Sequence, residues 1–436
     1  MGFLDTVKGW FGIEPPKSPE ELALLAAIRA QPDDMPARLA YAEYLEAQQQ
    51  PFGRYLRCEV EKLALPPDDP RGDELTAEAD QLMERHGKRW VRPFKEMELE
   101  PVVIGMHLPS LWFARGMIEE VIVDKRAVVP GKFERLVELA PALRKLIFAR
   151  CSPDWAAIAA APQLTRIKAL DLSDVKPALS DLKLLSTSPN LAQLEELDLG
   201  GRELGPELAA LLAQSPRWKQ LRVLSLSSCR LDVEGARLLA STANLAGLQE
   251  LNLSYNSIGD AGVAALVASP HLKNLRRLNL ASNDLTFAAA ETLRAAAWAP
   301  LEELEINSNK LGPAGLTALS QAPAFAKLRK LNLASNDGTD AGAIAWAKSA
   351  SLASVRQLEI GHNELTDAGV AALANSPHVA NLIELDLSIS RLTNIDVLVN
   401  SPHLKRLRKL KLYSCDLDSA AKARLRAAFG DEAVEE

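Results

Sequence analysis

Leucines recur along this 436-residue chain with a spacing that repeats about every 27 residues. The pattern Leu-x-x-Leu-x-Leu-x-x-Asn/Cys is found in eleven copies in nearly constant phase, and a degenerate copy precedes them at residues 118–123. Such regularity predicts a stack of similar coils that bury their leucines against one another. The eleven copies begin at Leu143, Ile167, Leu194, Leu221, Leu248, Leu275, Leu301, Leu328, Val355, Leu382 and Leu407.

One copy, residues 248–256, shows the local structure that the pattern predicts. Leu251 and Leu253 alternate with Asn252, so we expect a short strand whose leucines point inward. Asn256 follows the strand, where its amide can hydrogen-bond backbone groups of its own turn and of the next coil. The five central copies keep this asparagine, which predicts a ladder of amides. The ladder position is occupied by Cys151, Val175, Arg202, Cys229, Asn256, Asn283, Asn309, Asn336, Asn363, Ser390 and Cys415.

The second half of each copy predicts a helix. Residues 260–267 place apolar side chains three to four positions apart, and Asp260 is suited to the N-cap or the first turn. Ser269-Pro270 then ends the helix, because proline cannot continue it. The same Ser-Pro pair recurs at residues 188–189, 215–216, 376–377 and 401–402.

A strand followed by a helix, with a period near 27 residues, resembles the ribonuclease-inhibitor-like class of leucine-rich repeats over about residues 118–427. The resemblance implies an α/β fold, a right-handed leucine-rich-repeat solenoid shaped as a horseshoe. Its parallel sheet would lie on the concave side and its helices on the convex side. It implies little about activity, because the fold is a general binding scaffold.

Residues 18–100 lie before the repeated leucine pattern, and their sequence predicts a small helical domain in front of the repeats. Ser18-Pro19-Glu20-Glu21 is typical of a capped helix start. Residues 32–46 and 51–59 resemble the short helical repeat-companion domain that precedes leucine-rich repeats in many bacterial proteins, although Tyr44 replaces its tryptophan. Residues 111–117 resemble the lead-in of that family to the first repeat. The resemblance implies no activity.

These patterns divide the chain into five segments. We expect an amphipathic segment at 1–17, the helical repeat-companion domain at 18–100, a lead-in with the degenerate repeat at 101–142, the eleven repeats at 143–427 and an acidic tail at 428–436. In the first segment Phe3, Val7, Trp10 and Phe11 share one side at helical spacing. Three roles stay open for residues 3–13, namely packing on the helical domain, docking of a partner, and contact with a membrane surface.

Composition narrows the choice of function. Residues 1–110 hold 13 basic and 20 acidic residues, whereas the rest of the chain holds 37 of each, which gives the net charge of −7. This balance argues against a nucleic-acid partner, and no apolar stretch approaches the length of a membrane span. Four cysteines without a close CxxC pair argue against a metal site. Reduced cysteines and the absence of a signal sequence point to the cytoplasm.

The concave face is the predicted binding surface. Side chains two, four and six residues after the first leucine of each copy point to this face, and the column four residues after it holds five acids and one base. We therefore expect a protein partner with a basic or polar surface, the alternative being that these are only solvated strand positions. The predicted partner-binding residues are Asp171, Asp198, Asn252, Tyr255, Asn279, Glu305, Asn332, Glu359, His362, Asp386 and Tyr413.

No catalytic motif is found, and we expect neither an enzyme nor a bound cofactor or metal. His271, His378 and His403 occupy one repeated Ser-Pro-His position, so they are structural copies. Two functions remain. The first is a non-catalytic scaffold that binds a protein partner through the solenoid. The second is a regulator of an enzyme, for example a small-GTPase activator that uses a strand-end residue such as Arg202 or Arg230. The oligomeric state stays open.

Overall fold

The structure is a computed structural model, and it describes residues 17–66, 69–90, 92, 113–123, 135–136, 139–215, 217–298 and 300–436. The amphipathic stretch predicted at residues 3–13 lies outside the described residues. The chain divides into two compact units, the N-terminal unit, Met1–Val175, and the C-terminal unit, Lys176–Glu436. The five predicted segment boundaries stay a prediction.

From Lys17 to Trp90, the described residues of the N-terminal unit form four α-helices. Ser18 caps the first helix by accepting a hydrogen bond of 3.0 Å from the backbone N–H of Glu21, and Pro19 occupies the first helical position. Leu25, Ile28, Tyr41, Leu45 and Leu56 form the shared core. The helices are α1 (Pro19–Ala30), α2 (Met35–Ala47), α3 (Pro51–Glu61) and α4 (Pro70–Trp90), with a 3-10 turn at Lys62–Ala64.

The strands of the N-terminal unit follow the helices. A two-stranded antiparallel pair precedes three parallel strands, in which Val121 pairs with Leu146 and Leu146 with Leu170. These three residues are buried, as the alternation of the pattern predicts. The strands are β1 (Phe113–Ala114), β2 (Met117–Ile118), β3 (Glu120–Val123), β4 (Lys145–Ala149) and β5 (Ala169–Asp174), with α5 (Trp155–Ala160) and a 3-10 turn at Pro162–Arg166 between the last two.

A buried arginine joins the helices of this unit to its strands. Arg38 on α2 is fully buried and donates hydrogen bonds to the carbonyls of Pro32 at 3.0 Å and Arg115 at 2.8 Å. It pairs with the buried carboxylate of Glu119 at 2.7 Å. Burial lowers the pKa of Arg38, and the attraction of Glu119 opposes this effect. We refer to Asp33, Arg38, Arg115 and Glu119 as the Arg38 cluster, in which Arg115 also pairs with Asp33 at 2.7 Å.

The C-terminal unit repeats one coil of strand, turn and helix. Its strands are β6 (Glu196–Asp198), β7 (Val223–Ser225), β8 (Glu250–Asn252), β9 (Arg277–Asn279), β10 (Glu303–Glu305), β11 (Lys330–Asn332), β12 (Gln357–Glu359), β13 (Glu384–Asp386), β14 (Lys409–Lys411) and β15 (Val434–Glu435). Its helices are α6 (Leu179–Thr187), α7 (Pro206–Gln214), α8 (Asp232–Ser241), α9 (Gly259–Ala268), α10 (Phe287–Arg294), α11 (Gly312–Leu319), α12 (Thr339–Lys348), α13 (Asp367–Ala374), α14 (Asp396–Val399) and α15 (Ser419–Phe429). Short 3-10 turns follow several helices, at Pro189–Leu191, Ala243–Leu245, Pro323–Phe325, Ala350–Ser354, Pro377–Val379 and Asp431–Ala433.

Each strand from β6 to β14 has three residues, of which only the middle one is buried. The strands pair in parallel and in register, so that Leu251 lies beside Leu278 and Leu304 beside Leu331. One interior is therefore shared by successive coils, and each coil buries its leucines against its neighbours. This confirms the predicted alternation of strand and helix.

The predicted asparagine ladder is present, but the side chain of each ladder asparagine bonds the preceding coil and not, as predicted, the next one. The side-chain oxygen of Asn256 accepts hydrogen bonds from the backbone N–H groups of Cys229 at 2.9 Å and Leu231 at 3.1 Å in the preceding coil. Its amide group donates to the carbonyl of Leu226 at 2.7 Å. Asn283 does the same one coil later, because it accepts from Asn256 N at 3.2 Å. The ladder pairs backbone groups that the irregular turns would otherwise bury unpaired.

A second ladder of hydroxyl groups runs along the ends of the helices. The Ser-Pro pairs are predicted only as helix stops, yet Ser215, Ser269, Ser376 and Ser401 each also join two coils. Ser269 donates to the carbonyl of Ala240 at 2.5 Å and accepts from the N–H of His271 at 3.2 Å. The same contact to a preceding helix end is made by Ser215, Thr242, Ser349, Ser376 and Ser401.

The residues predicted as an acidic tail form part of the sheet. Gly430 turns the chain at a φ of 99°, and β15 pairs in parallel with β14. Glu435 makes an ion pair of 2.8 Å with Lys409 and accepts a hydrogen bond of 2.9 Å from the hydroxyl of Tyr413. Pairing with β15 covers the backbone groups that β14 would otherwise expose as an edge strand.

Candidate functional site

The outward side chains of β6–β14 form two rows, which we call the sheet face. Both rows are half-buried, because each outward side chain is flanked by those of the neighbouring strands. The first residues of the strands form the charged row Glu196, Val223, Glu250, Arg277, Glu303, Lys330, Gln357, Glu384 and Lys409. The last residues form the polar row Asp198, Ser225, Asn252, Asn279, Glu305, Asn332, Glu359, Asp386 and Lys411.

The structure brings seven of the predicted partner-binding residues together in the polar row. They are Asp198, Asn252, Asn279, Glu305, Asn332, Glu359 and Asp386. Asp171 lies on β5 of the N-terminal unit, where it pairs with Ile147 of β4. Tyr255 and His362 do not join the row, because both lie in the turns after their strands. Tyr413 follows β14 and is held by its hydrogen bond to Glu435.

Hydrogen bonds and ion pairs connect the side chains of the sheet face. The amide of Asn279 donates to Glu305 at 2.7 Å, and that of Asn332 donates to Glu359 at 2.7 Å. Lys330 pairs with Glu305. Burial acts to lower the pKa of Lys330, but the hydrogen bond and the negative charge of Glu305 outweigh it, so that this pKa is raised. These contacts hold the carboxylates in fixed positions.

The sheet face carries an excess of negative charge. Eight of its eighteen residues are acidic and four are basic, which gives a net charge of 4 − 8 = −4. The basic residues pair with acidic neighbours, as in the contact of 2.6 Å between Arg277 Nε and Glu250. Glu303 lies beside Lys330 on the neighbouring strand β10, and the negative charges of Glu303 and Glu359 both add to the rise of the pKa of Lys330. The surface is thus acidic with fixed polar groups, which suits a basic or polar partner.

The turns after the strands form a second surface, the turn edge. Several residues of these turns have a positive φ, and at the first such position of each turn from Ser228 onward serine is the commonest residue. Tyr255, with 61% of its surface exposed, and His362 are larger, and Ile389 is 46% exposed at a φ of 55°. A β-branched residue is strained in this conformation. Sequence reasoning missed Ile389, although its departure from the serines at this position was a visible signal. The positions are Ser228, Tyr255, Ser282, Ser308, Ser335, His362, Ile389 and Ser414.

The cysteines of the repeats are structural. The thiol of Cys229 donates to the carbonyl of Leu199 at 3.3 Å, and that of Cys415 donates to the carbonyl of Leu387 at 3.4 Å. Burial raises the pKa of Cys229 to about 11. The reactive thiolate is therefore rare at neutral pH. Within the described ranges, no group of three or more His, Cys, Asp and Glu side chains is placed to hold a metal ion.

The two arginines considered for a regulator differ in their exposure to solvent. Arg202 occupies the ladder position and is 3% exposed, so its guanidinium does not reach out to a partner. Arg230 lies on the turn edge, where it is exposed and pairs with Glu203 at 3.0 Å. In the part of the chain that the structure describes, no helix combines the length and the apolar character needed to cross a membrane.

Comparisons with known proteins agree with this architecture. A family model described as Leucine Rich repeat matches residues 220–240, 248–267, 271–293, 299–320 and 351–374. No curated protein matches the chain in sequence. The matched segments and the repeated coil together show that the C-terminal unit has a leucine-rich-repeat solenoid fold built of parallel strands and helices.

Three solved structures resemble the chain in fold. An internalin, InlF, from Listeria monocytogenes is 20% identical over 65% of this chain and 70% of its own, with a TM-score of 0.40. A chain of the yeast Rad7 and Elc1 complex is 15% identical over 85% of this chain and 96% of its own, with a TM-score of 0.48. The functional domain of InlJ from Listeria monocytogenes is 17% identical over 70% of this chain and 57% of its own, with a TM-score of 0.38. With identities of 20% or less and TM-scores of 0.48 or less, these similarities assign no partner or function to this chain.

Proposed function

We propose that this protein is a non-catalytic scaffold that binds a protein partner through the sheet face of its leucine-rich repeats. The observation that carries the proposal is the continuous polar row, in which side chains of successive strands stand side by side and are fixed by mutual hydrogen bonds. Such a preorganised surface loses little side-chain freedom on binding. Repeat proteins use extended surfaces of this kind for recognition.

The charge of the sheet face specifies the chemistry of the partner. An excess of four negative charges attracts a protein with a basic or polar surface and repels nucleic acid. Aromatic anchors typical of tight interfaces are scarce there, and Tyr413 is held by Glu435. We therefore expect association that weakens as salt rises, because screening reduces the attraction between the two surfaces.

The experiment introduces positive charge into the polar row. The variant N252K/N279K/N332K adds like charge against a basic partner, and a partner captured by the unaltered protein should bind it about tenfold more weakly or worse. The matched control, A264K/A288K/A341K, adds the same charge at exposed helix positions and should leave the affinity unchanged. Isothermal titration measures both. Equal affinities for the two variants would reject the sheet face as the binding surface.

A regulator of an enzyme is the second candidate, and the exposure of Arg230 on the turn edge favours it. An exposed arginine at a strand-end turn could enter the active site of a GTPase and stabilise the charge of phosphoryl transfer. GTP turnover by candidate small GTPases, measured with the unaltered protein and with Arg230→Ala, tests this role. Stimulation that depends on Arg230 would replace the scaffold proposal, whereas unchanged turnover would remove the regulator.

The finer classification is also a proposal. We assign the repeats to the ribonuclease-inhibitor-like class, because helices of eight to ten residues follow most strands of the C-terminal unit. We assign residues 18–100 to the repeat-companion domain of bacterial proteins on their sequence resemblance, and helices α1–α4 support a helical domain there. A bacterial origin and a cytoplasmic location go with these assignments.

A further inference from the structure

A cleft of about 940 Å3 opens on the turn edge of the C-terminal unit, near the end of the stack. It lies at the repeat that begins at Leu382, whose length of 25 residues is shorter than the 27 of the repeat before it. Its helix α14 has four residues, between the eight of α13 and the eleven of α15. We call this space the turn-edge cleft.

Ser390 lines the cleft at the ladder position. One coil earlier, Asn363 accepts hydrogen bonds of 2.9 Å from the backbone N–H groups of Asn336 and Gly338. Serine lacks the carboxamide that makes these bonds, and among the described residues its hydroxyl oxygen has no hydrogen-bond partner although Ser390 is 3% exposed. Buried polar groups are nearly always paired, so this hydroxyl points to a polar ligand group.

Ile389, next to Ser390, gives the cleft an apolar wall. It is 46% exposed and strained at a φ of 55°, whereas Ser335 and Ser414 occupy the same turn position in other coils. Neither the exposure nor the strain of an isoleucine stabilises the free protein. An apolar contact at this wall suits the aliphatic part of a ligand.

The charged side chains that line the cleft favour a cationic ligand. Four carboxylates line the cleft, and they are opposed by two arginines. Arg424 pairs with Asp396 on α14, a carboxylate that does not line the cleft. Arg424 therefore does not offset the four carboxylates that do. The net field in the cleft is therefore negative. The four carboxylates belong to Asp337, Glu364, Asp416 and Asp418, and the second arginine is Arg391.

We propose that the turn-edge cleft receives one basic side chain, arginine or lysine, from an extended segment of a protein partner. The aliphatic stem would pack on Ile389, and the cationic group would donate to the carboxylates and to the hydroxyl oxygen of Ser390. Long basic side chains combine such a stem with several donors. The inference rests on the proposed function, since it assumes that the occupant belongs to a protein, but it concerns a different surface.

The probe is a set of capped six-residue peptides that differ only in the residue after a leucine, namely arginine, lysine, glutamine or glutamate. Ligand-observed NMR with the full chain measures the binding of each peptide. We expect the arginine or the lysine peptide to bind about tenfold more tightly than the glutamine peptide, because only the basic residues pair with the carboxylates. The comparison of arginine with lysine shows which of the two the cleft prefers. Equal binding of the basic, neutral and acidic peptides would overturn the proposal.

Two variants locate the binding. Ser390→Asn restores the ladder side chain and fills the floor of the cleft, so it should abolish peptide binding while the melting temperature holds or rises. D337N/D416N removes two exposed charges and should weaken the basic peptides about fivefold. Unchanged binding in both variants would place the peptide elsewhere and overturn the proposal.

The sheet-face variant N252K/N279K/N332K separates this inference from the proposed function. It should bind the peptides as the unaltered protein does. Loss of the natural partner with retained peptide binding would support both surfaces. Peptide binding without any natural partner would leave the chemistry of the cleft standing and remove the scaffold proposal. Failure of the peptides with a partner still bound at the sheet face would remove only the cleft.

Discussion

The two units of this molecule hold buried polar groups in opposite ways. In the N-terminal unit, the Arg38 cluster concentrates charge at one place, where Arg38 contacts two carbonyls and Glu119. In the C-terminal unit, neutral amides and hydroxyls recur along the stack of coils, as at Asn256 and Ser269. A buried charge is costly when its partner is lost, whereas a neutral ladder distributes the same task over many small contributions. We therefore expect a substitution in the Arg38 cluster to cause one large, local loss of stability. Substitutions in the ladders of the C-terminal unit should each cause a smaller loss.

The largest effect should come from the Arg38 cluster. Arg38→Met should lower the free energy of unfolding by about 3 kcal/mol, the lower end for a broken buried pair, because Arg115 still neutralises Glu119. Urea denaturation measures the loss. Arg54→Ala, which breaks an exposed pair with Glu78, is the control and should cost less than about 1 kcal/mol. Similar losses in the two variants would remove the special role of the buried cluster.

A smaller effect should follow from the ladder. Asn283→Ala leaves two backbone N–H groups and two carbonyls without their side-chain partner, and we expect a loss of about 2 kcal/mol in urea denaturation. Asn252→Ala on the sheet face removes the same amide at a half-buried site and should cost under about 1 kcal/mol. If the sheet-face variant were the less stable of the two, the ladder would not be the main source of cohesion between coils.

The smallest effect concerns aspartates that bridge neighbouring coils. Asp367 accepts hydrogen bonds from the hydroxyl of Thr393 and from the N–H groups of Thr393, at 2.9 Å, and Asn394, at 3.0 Å. Burial acts to raise the pKa of Asp367, but these hydrogen bonds outweigh it and hold this pKa below its usual value of 3.8. A lowered folded-state pKa means that the stabilisation is present above the unfolded-state pKa and is lost as the pH falls through the folded-state value.

Melting curves of the unaltered protein and Asp367→Asn between pH 7 and pH 3 measure this bridge. The difference in melting temperature should be constant at neutral pH and should begin to shrink below about pH 4, where the carboxyl group of the unfolded chain takes up a proton before that of the folded chain does. Glu291→Gln, which alters an exposed helix pair, is the control and tests general acid effects. A difference that stays the same down to pH 3 would show that the charge of Asp367 contributes nothing.

The repeated features could be predicted from the sequence, and the single ones could not. Strand, buried leucines and asparagine ladder follow from a spacing that occurs many times, so each copy supports the others. The hydroxyl ladder was missed, because Ser-Pro already explains the end of a helix and the carbonyl that Ser269 contacts lies 29 positions earlier. Asp260 was assigned to a helix start, and the structure adds its bridge of 2.8 Å to Thr286 N in the next coil.

The candidate site divides in the same way. The polar row was predicted, because side chains two positions apart on a strand share a face and parallel strands align them. Tyr255 and His362 were placed on that face, but each lies one position beyond the last residue that shares it and belongs to the turn. The turn-edge cleft is lined by residues 389–395 and by residues of the coils on either side of them. The two-residue shortening of this repeat is visible in the spacing, but the side chains that line one cleft are not.

By itself, the sequence determined the coil, its period, the residues that face the interior and the row of polar side chains beside them. These follow from local periodicity, which constrains every copy in the same way. Only the tertiary structure decided that Arg38 is buried against Glu119, that β15 pairs with β14, and that Ser390 and Ile389 line one cleft. The physical reason is that such contacts join residues from different elements once, and a contact made once leaves no period in the chain.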